Sequence, residues 1–127
     1  MSICCGVDII EIERIKRSVG EGNTAFRDRV YTDREIEYCE LKKNVKYESY
    51  AARFAAKEAV SKAFGTGIGQ GVSLKDIEIL NDELGKPYVV LHNKSREIFK
   101  KINGGNISLS ISHCKNYAVA YAVIEVS

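Results

Sequence analysis

From about Tyr47 to Phe64 the chain is rich in alanine and holds neither glycine nor proline. Such a stretch predicts a long helix. Alanine, valine and phenylalanine occupy most directions around it, so little of its surface is expected to be solvated. The rest of the fold must therefore be built around it. The run Gly65-Thr66-Gly67-Ile68-Gly69-Gln70-Gly71 ends it. Glycine both terminates helices and lets backbone amides approach an anion closely, so this run reads equally as a helix stop and as a phosphate contact. It follows a helix rather than a strand, lacks the GxGxxG spacing and has no Walker lysine, so it is no nucleotide fingerprint.

Residues from Ile3 to Ile10 are almost all apolar and rich in β-branched side chains, which predicts a largely buried strand with Asp8 inside it. Ile12, Ile15 and Val19 then recur at helical spacing. Thr32 to Glu35 matches a capping box and places a helix start near Asp33. Ile77 to Leu80 and Tyr88 to Leu91 read as strands joined by the turn Asn81 to Pro87, with Gly85 free to take positive φ. Asn93 to Ile102 predicts a helix, broken by Asn103 to Asn106. Ile107, Leu109 and Ile111 alternate with Ser108, Ser110 and Ser112, and Tyr117 to Val126 is a long apolar run, so an antiparallel hairpin is expected at the C-terminal end. The expected fold class is α+β, one domain over residues 1–127, with a mainly antiparallel sheet, a long central helix and shorter helices.

Composition excludes several function classes. Nineteen basic against seventeen acidic residues leave a net charge of +2, too small for general nucleic-acid binding. No apolar run reaches the roughly 18 residues of a membrane-spanning helix. No secretory pattern opens the chain, so the expected location is the cytoplasm. Cys4, Cys5, Cys39 and Cys114 form no CxxC pair, which argues against zinc; they read as reduced, buried small hydrophobes.

A few polar residues stand out against this background. Asp8 in an apolar strand must be paired, metal-bound or neutral, unless it sits at the strand end and caps the next helix near Glu11. Glu58 and Lys62 are four apart on the long helix and share a face with Ala51 and Ala55. Two charges among small side chains suggest close approach by another group, although a surface ion pair has the same spacing. Arg53 and Lys57 lie elsewhere on the helix, free to face phosphate or solvent. His113 follows Ser112 where a strand meets a turn. Adjacent strand residues point to opposite faces, so the two do not form a nucleophile pair. If the fold joins Asp8 to Glu58, the two carboxylates suit Mg²⁺ completed by water and substrate phosphates.

Three motifs, in order, resemble the holo-[acyl-carrier-protein] synthases, a group of the 4′-phosphopantetheinyl transferases. They are Gly6-Val7-Asp8-Ile9 continuing to Ile12 and Arg14, the run from Arg53 through Lys57-Glu58-Ala59 and Lys62 to Gly67, and Ser110-Ile111-Ser112-His113. The turn ending in Gly85-Lys86-Pro87 is similar too. The stretches from Ser18 to Asn23 and from Leu41 to Tyr47 are the least family-like.

The resemblance implies transfer of phosphopantetheine from coenzyme A to a serine of apo acyl carrier protein, with adenosine 3′,5′-bisphosphate released. It implies a homotrimer with active sites between subunits. Asp8 and Glu58 would hold Mg²⁺, Glu58 and Lys62 would be catalytic, and Lys62 would neutralise the pyrophosphate. Arg53, Lys62, Gly65, Ser112 and His113 would contact coenzyme A, with Arg53 at the 3′-phosphate. Arg14 and Arg17 would face the carrier's acidic helix, although Glu13 stands four residues before Arg17 and would offset part of that charge. A nucleotide-binding oligomer without turnover, and a Mg-dependent phosphohydrolase, are the rival readings.

Overall fold

The computed structural model describes residues 1–20, 22, 24–65 and 71–127. Strand β1 (Ser2–Glu11) leads into helix α1 (Ile12–Gly20), followed by α2 (Ala25–Val30), α3 (Asp33–Leu41) and the long helix α4 (Lys46–Ala63). A hairpin of β2 (Ile77–Asn81) and β3 (Pro87–Leu91), helix α5 (Asn93–Lys101) and the strands β4 (Gly104–His113) and β5 (Tyr117–Val126) complete it. The fold is α+β, as expected. The α4 bounds fall within one residue of those read from the alanine-rich stretch.

β1, β5 and β4 form an antiparallel sheet in that order, with β5 in the centre. α4 packs across β1 and β5. The sheet offers it an unusually flat inner face, because Ala118, Ala120 and Ala122 of β5 are buried there. Gly6 of β1 lies on the same face, and a Cβ on it would collide with the carbonyl oxygen of Ala59 and the backbone nitrogen of Ala63. Helix and strand thus meet backbone to backbone.

β1 corrects the expectation of a largely buried strand. Ile10 is buried and Gly6 abuts α4, whereas Ile3, Val7 and Ile9 are 61%, 51% and 63% exposed. In register with them, Val7 stands opposite Tyr121 and Ile9 opposite Val119, while Tyr121 and Val119 face Ser110 and Ser112 across β4. The outer face of the sheet is therefore an exposed apolar surface that also carries Tyr117 and Tyr121. An apolar run reports what could be buried, not which of its faces a single chain covers. The cysteines also depart from expectation. All four are free, but only Cys39 is buried, Cys4 is half-buried, and Cys5 and Cys114 are exposed. Burial pushes the Cys39 thiol up to about 11.

The capping box forms at α3. Thr32 Oγ1 accepts from the Glu35 backbone N–H, and Glu35 Oε1 accepts from that of Thr32. Glu35 is fully buried and does more than cap. It takes the Ile79 N–H at 2.8 Å on Oε2 and pairs with Lys57 Nζ at 2.8 Å. Lys57 therefore faces neither phosphate nor solvent. It is fully buried, and its remaining donors meet the carbonyl oxygens of Leu74 and Ile77 at 2.9 and 2.8 Å. A buried ammonium is tolerated only when each N–H finds an acceptor, and here all three do. The network ties α3, α4 and β2 together behind the site.

α2 has no counterpart in the sequence reading. Its N-cap, Thr24, makes no side-chain capping bond, and the helix is only six residues long. What holds it is packing: Phe26 stacks near Tyr31 and Phe54 at ring centroid distances of 6.5 and 6.1 Å.

Candidate functional site

Two clusters of polar side chains form around α4. The first is where the C-terminal turn of α4 passes β1. Lys62 Nζ donates to Asp8 Oδ1 at 3.1 Å and to the Val7 carbonyl at 3.0 Å. Asp8 is thus a mid-strand carboxylate on the inner face, paired with Lys62, and does not cap α1. Glu58, one turn before Lys62, is half-buried. Burial, then the Asp8 charge, pushes its carboxyl above the ordinary range, while Lys62 and Arg14 oppose the rise. Two carboxylates that feel each other's charge in a partly desolvated place mark a site short of positive charge. Among the described residues no three His, Cys, Asp or Glu side chains gather as a metal cage. Asp8 and Glu58 alone therefore suit a hard cation that takes its other ligands from water and phosphate.

Gly65 closes α4 at this end, with φ +81° and its N–H donating to the Lys62 carbonyl at 2.9 Å. It is a left-handed helix stop whose missing side chain faces open space. Residues 66–70 of the glycine-rich run lie outside the described residues. Arg14 and Arg17 are exposed on α1, and neither forms an ion pair among the described residues, so Glu13 does not neutralise Arg17.

The second cluster lies toward the N-terminal half of α4, around Arg53. Arg53 as a whole is only 4% exposed. Nη2 donates to Asn81 Oδ1 at 2.6 Å, and the group stacks on the Tyr38 ring with its carbon 3.9 Å from the centroid. Nε has no acceptor, and no carboxylate pairs with Arg53 among the described residues. Arg53 lines a cavity of about 430 Å³ together with Tyr38, Ser49, Asn81, Pro87 and His113. A buried cation without a counter-charge, at the wall of a cavity, is chemically suited to receive an anion.

Not every expected residue joins these clusters. His113 enters the second one, on the inner face of β4. Ser112 points to the outer face, in register with Val119, and does not line the cavity. No side chain is common to the Arg53 cavity and the shallow depression formed by Cys5, Gly6, Val7, Lys62 and Tyr121. Asn81 and Tyr38 were not foreseen. Asn81 reads in the sequence as turn chemistry alone, and Tyr38 meets Arg53 only because α3 and α4 pack side by side.

The model of the 4′-phosphopantetheinyl transferase superfamily matches residues 4–122. The chain belongs to this superfamily. Among curated relatives, the transferase is 57% identical to the holo-[acyl-carrier-protein] synthase of Ruminiclostridium cellulolyticum, over 99% of the chain and 94% of the relative. It is 50% identical to that of Clostridium perfringens, over 98% and 95%. Among solved structures, the Helicobacter pylori holo-[acyl-carrier-protein] synthase in complex with coenzyme A superposes with a TM-score of 0.83. It is 36% identical, over 95% of this chain and 99% of that one. The Bacillus anthracis synthase, in complex with CoA (3′,5′-ADP), gives 0.79 at 42% identity, over 98% and 96%. These relatives make the transferase a holo-[acyl-carrier-protein] synthase by kind, and its fold is theirs.

Proposed function

We propose that this transferase moves 4′-phosphopantetheine from coenzyme A to a serine hydroxyl of apo acyl carrier protein and releases adenosine 3′,5′-bisphosphate. The observation that carries the reading is the meeting of Asp8, Glu58 and Lys62 at the crossing of β1 and α4. The seryl oxygen forms a bond to the phosphorus that bears pantetheine. The bond from that phosphorus to the bridging oxygen breaks, and the electron pair leaves on the nucleotide phosphate. Lys62 is half-exposed and cationic, so it can shift from Asp8 toward the charge that gathers on the leaving phosphate. Burial raises the proton affinity of the Glu58 carboxylate, which suits it, in its ionised form, to take the proton lost by the serine. Asp8 and Glu58 would hold Mg²⁺, which when bound would supply Lewis acidity at the pyrophosphate.

Arg53 gives the 3′-phosphate the partner it needs and gains its missing counter-charge in return. His113 lines the same cavity. None of Asp8, Glu58 and Lys62 lines the Arg53 cavity within one chain. This favours a homotrimer in which one subunit contributes Asp8, Glu58 and Lys62 and its neighbour supplies the nucleotide end. The exposed apolar face of the sheet, with Val7, Ile9 and Tyr121, favours the same assembly. Ser112, on that outer face, would then act from the subunit boundary. Arg14 and Arg17, unpaired on α1, would receive the acidic helix of the carrier, and docking of this kind is fast and salt-sensitive. Among the described residues no helix is long and apolar enough to cross a membrane.

The test is intact-mass spectrometry of apo acyl carrier protein after incubation with the transferase, coenzyme A and Mg²⁺, beside a chelator control. A mass gain of one phosphopantetheine, lost with chelator, is expected. Binding of coenzyme A with no gain on any of several carriers would leave a non-catalytic binder, and cleavage without carrier would indicate a phosphohydrolase.

A further inference from the structure

Arg53 is held entirely by neutral groups. Its stacking partner is the Tyr38 ring and its hydrogen-bond partner is the Asn81 amide oxygen, at 2.6 Å. The orientation of that amide is fixed, because Asn81 Nδ2 donates to the Gly85 carbonyl at 3.0 Å. Turning the amide over would set its NH₂ against the guanidinium and its oxygen against the carbonyl, losing both bonds. The anchor itself is rigid. Asn81 ends β2 in register with Pro87, and the turn between them is closed by Asp82, which accepts from the N–H groups of Leu84 and Lys86 at 2.9 Å each.

A carboxylate at position 81 would fit almost the same volume. It would pair with Arg53 inside the protein and cancel the charge that the cavity otherwise presents. We propose that Asn81 is a positioning residue for the donor: it orients Arg53 by a neutral bond, keeps its charge uncancelled, and thereby sets selectivity for donors that carry a 3′-phosphate. This rests on the reading that Arg53 receives that phosphate, and the experiment separates the two.

Steady-state kinetics with coenzyme A and with 3′-dephospho-coenzyme A are compared for the wild type, R53A, N81D and N81S, each checked by thermal melting. R53A is expected to erase the preference for coenzyme A; if the preference survives, Arg53 does not receive the 3′-phosphate. N81D is expected to raise KM for coenzyme A by about tenfold or more while moving that for the dephospho donor less than about threefold. N81S loses both amide bonds but adds no charge, so its coenzyme A KM should rise less than that of N81D. If Asn81 only secures the turn, N81D and N81S both lose its Nδ2 bond to Gly85, so the two variants weaken to a similar extent, and both donors weaken alike. Either result overturns the proposal, as does an N81D that keeps the wild-type preference while R53A loses it. Should N81D melt below the assay temperature, N81S decides: selective loss with coenzyme A supports the proposal and equal loss refutes it.

Discussion

Lys62 spans the gap between the last turn of α4 and the middle of β1 to reach Asp8 at 3.1 Å. The contact is half-exposed on the lysine side, so it contributes little to stability, of order 0–1 kcal/mol. In the proposed reaction its value is positional, keeping a cation and a carboxylate side by side until phosphate arrives. D8A, E58A and K62A are therefore expected to melt within a few degrees of the wild type while losing about 100-fold or more in kcat. Melting curves recorded beside holo-carrier formation check this. Loss of fold in all three would instead make the cluster a structural ion network.

A site divided between subunits predicts complementation. D8A should be inactive alone, and R53A should turn over little at coenzyme A concentrations well below its raised KM, because every site lacks one half. Mixed by co-expression, they should regain about a quarter of the wild-type activity, since one site in four then pairs two intact halves across a subunit boundary. Activity of the mixture no greater than that of its components would place both halves in one chain.

The Lys57–Glu35 pair predicts a stability effect of a different size. Removing one partner of a buried ion pair leaves the other uncompensated, so K57M should cost about 3–5 kcal/mol in chemical denaturation. The double variant E35Q/K57M should recover part of that loss, because no lone charge remains. A K57M cost under about 1 kcal/mol would show that Lys57 can escape to water.

Glu78 supplies a pH dependence. It is 4% exposed and accepts from Thr32 Oγ1 at 2.6 Å, with His92 Nε2 at 3.0 Å on its other oxygen. Burial pushes its carboxyl up, but the bonds to Thr32 and His92 and the nearby positive charges outweigh that and hold it below its ordinary value of about 4.5. A carboxyl depressed in the folded state stabilises the fold above its unfolded pKa, and that contribution is lost as pH falls through the folded value. Unfolding free energy should thus drop as the solution is acidified below about pH 4.5, and E78Q should flatten that part of the curve. Superimposable curves for the two proteins would deny Glu78 this role.

What the sequence disclosed follows from the range over which each signal acts. The bounds of α4, the capping box at Thr32 and the turn at Gly85 are local, set by propensity and backbone geometry within a few residues. Asp8, Glu58 and Lys62 could be singled out by residue type, yet only the packing of β1 on α4 brings them together. Lys57 was misread for the same reason. Its partner Glu35 lies 22 residues away, and helical periodicity cannot say which neighbour a face will meet. β1 was misjudged because an apolar strand looks the same whether its second face meets its own chain or another. Asn81 was hidden behind its turn role, its contact with Arg53 being 28 residues distant.

The contact between Gly6 and the α4 backbone at Ala59 and Ala63 has a consequence for the proposed active site. Asp8 is two residues along the same strand and Lys62 is next to Ala63, so this contact gauges the distance between them. A methyl group at Gly6 would wedge strand and helix apart. G6A is expected to cost about 1–3 kcal/mol in stability. It should also depress activity beyond what melting explains, since the carboxylate would retreat from its partners. The tolerance of the proposed catalytic cluster is thus set by a single hydrogen atom, far smaller than any of the charged groups it keeps aligned.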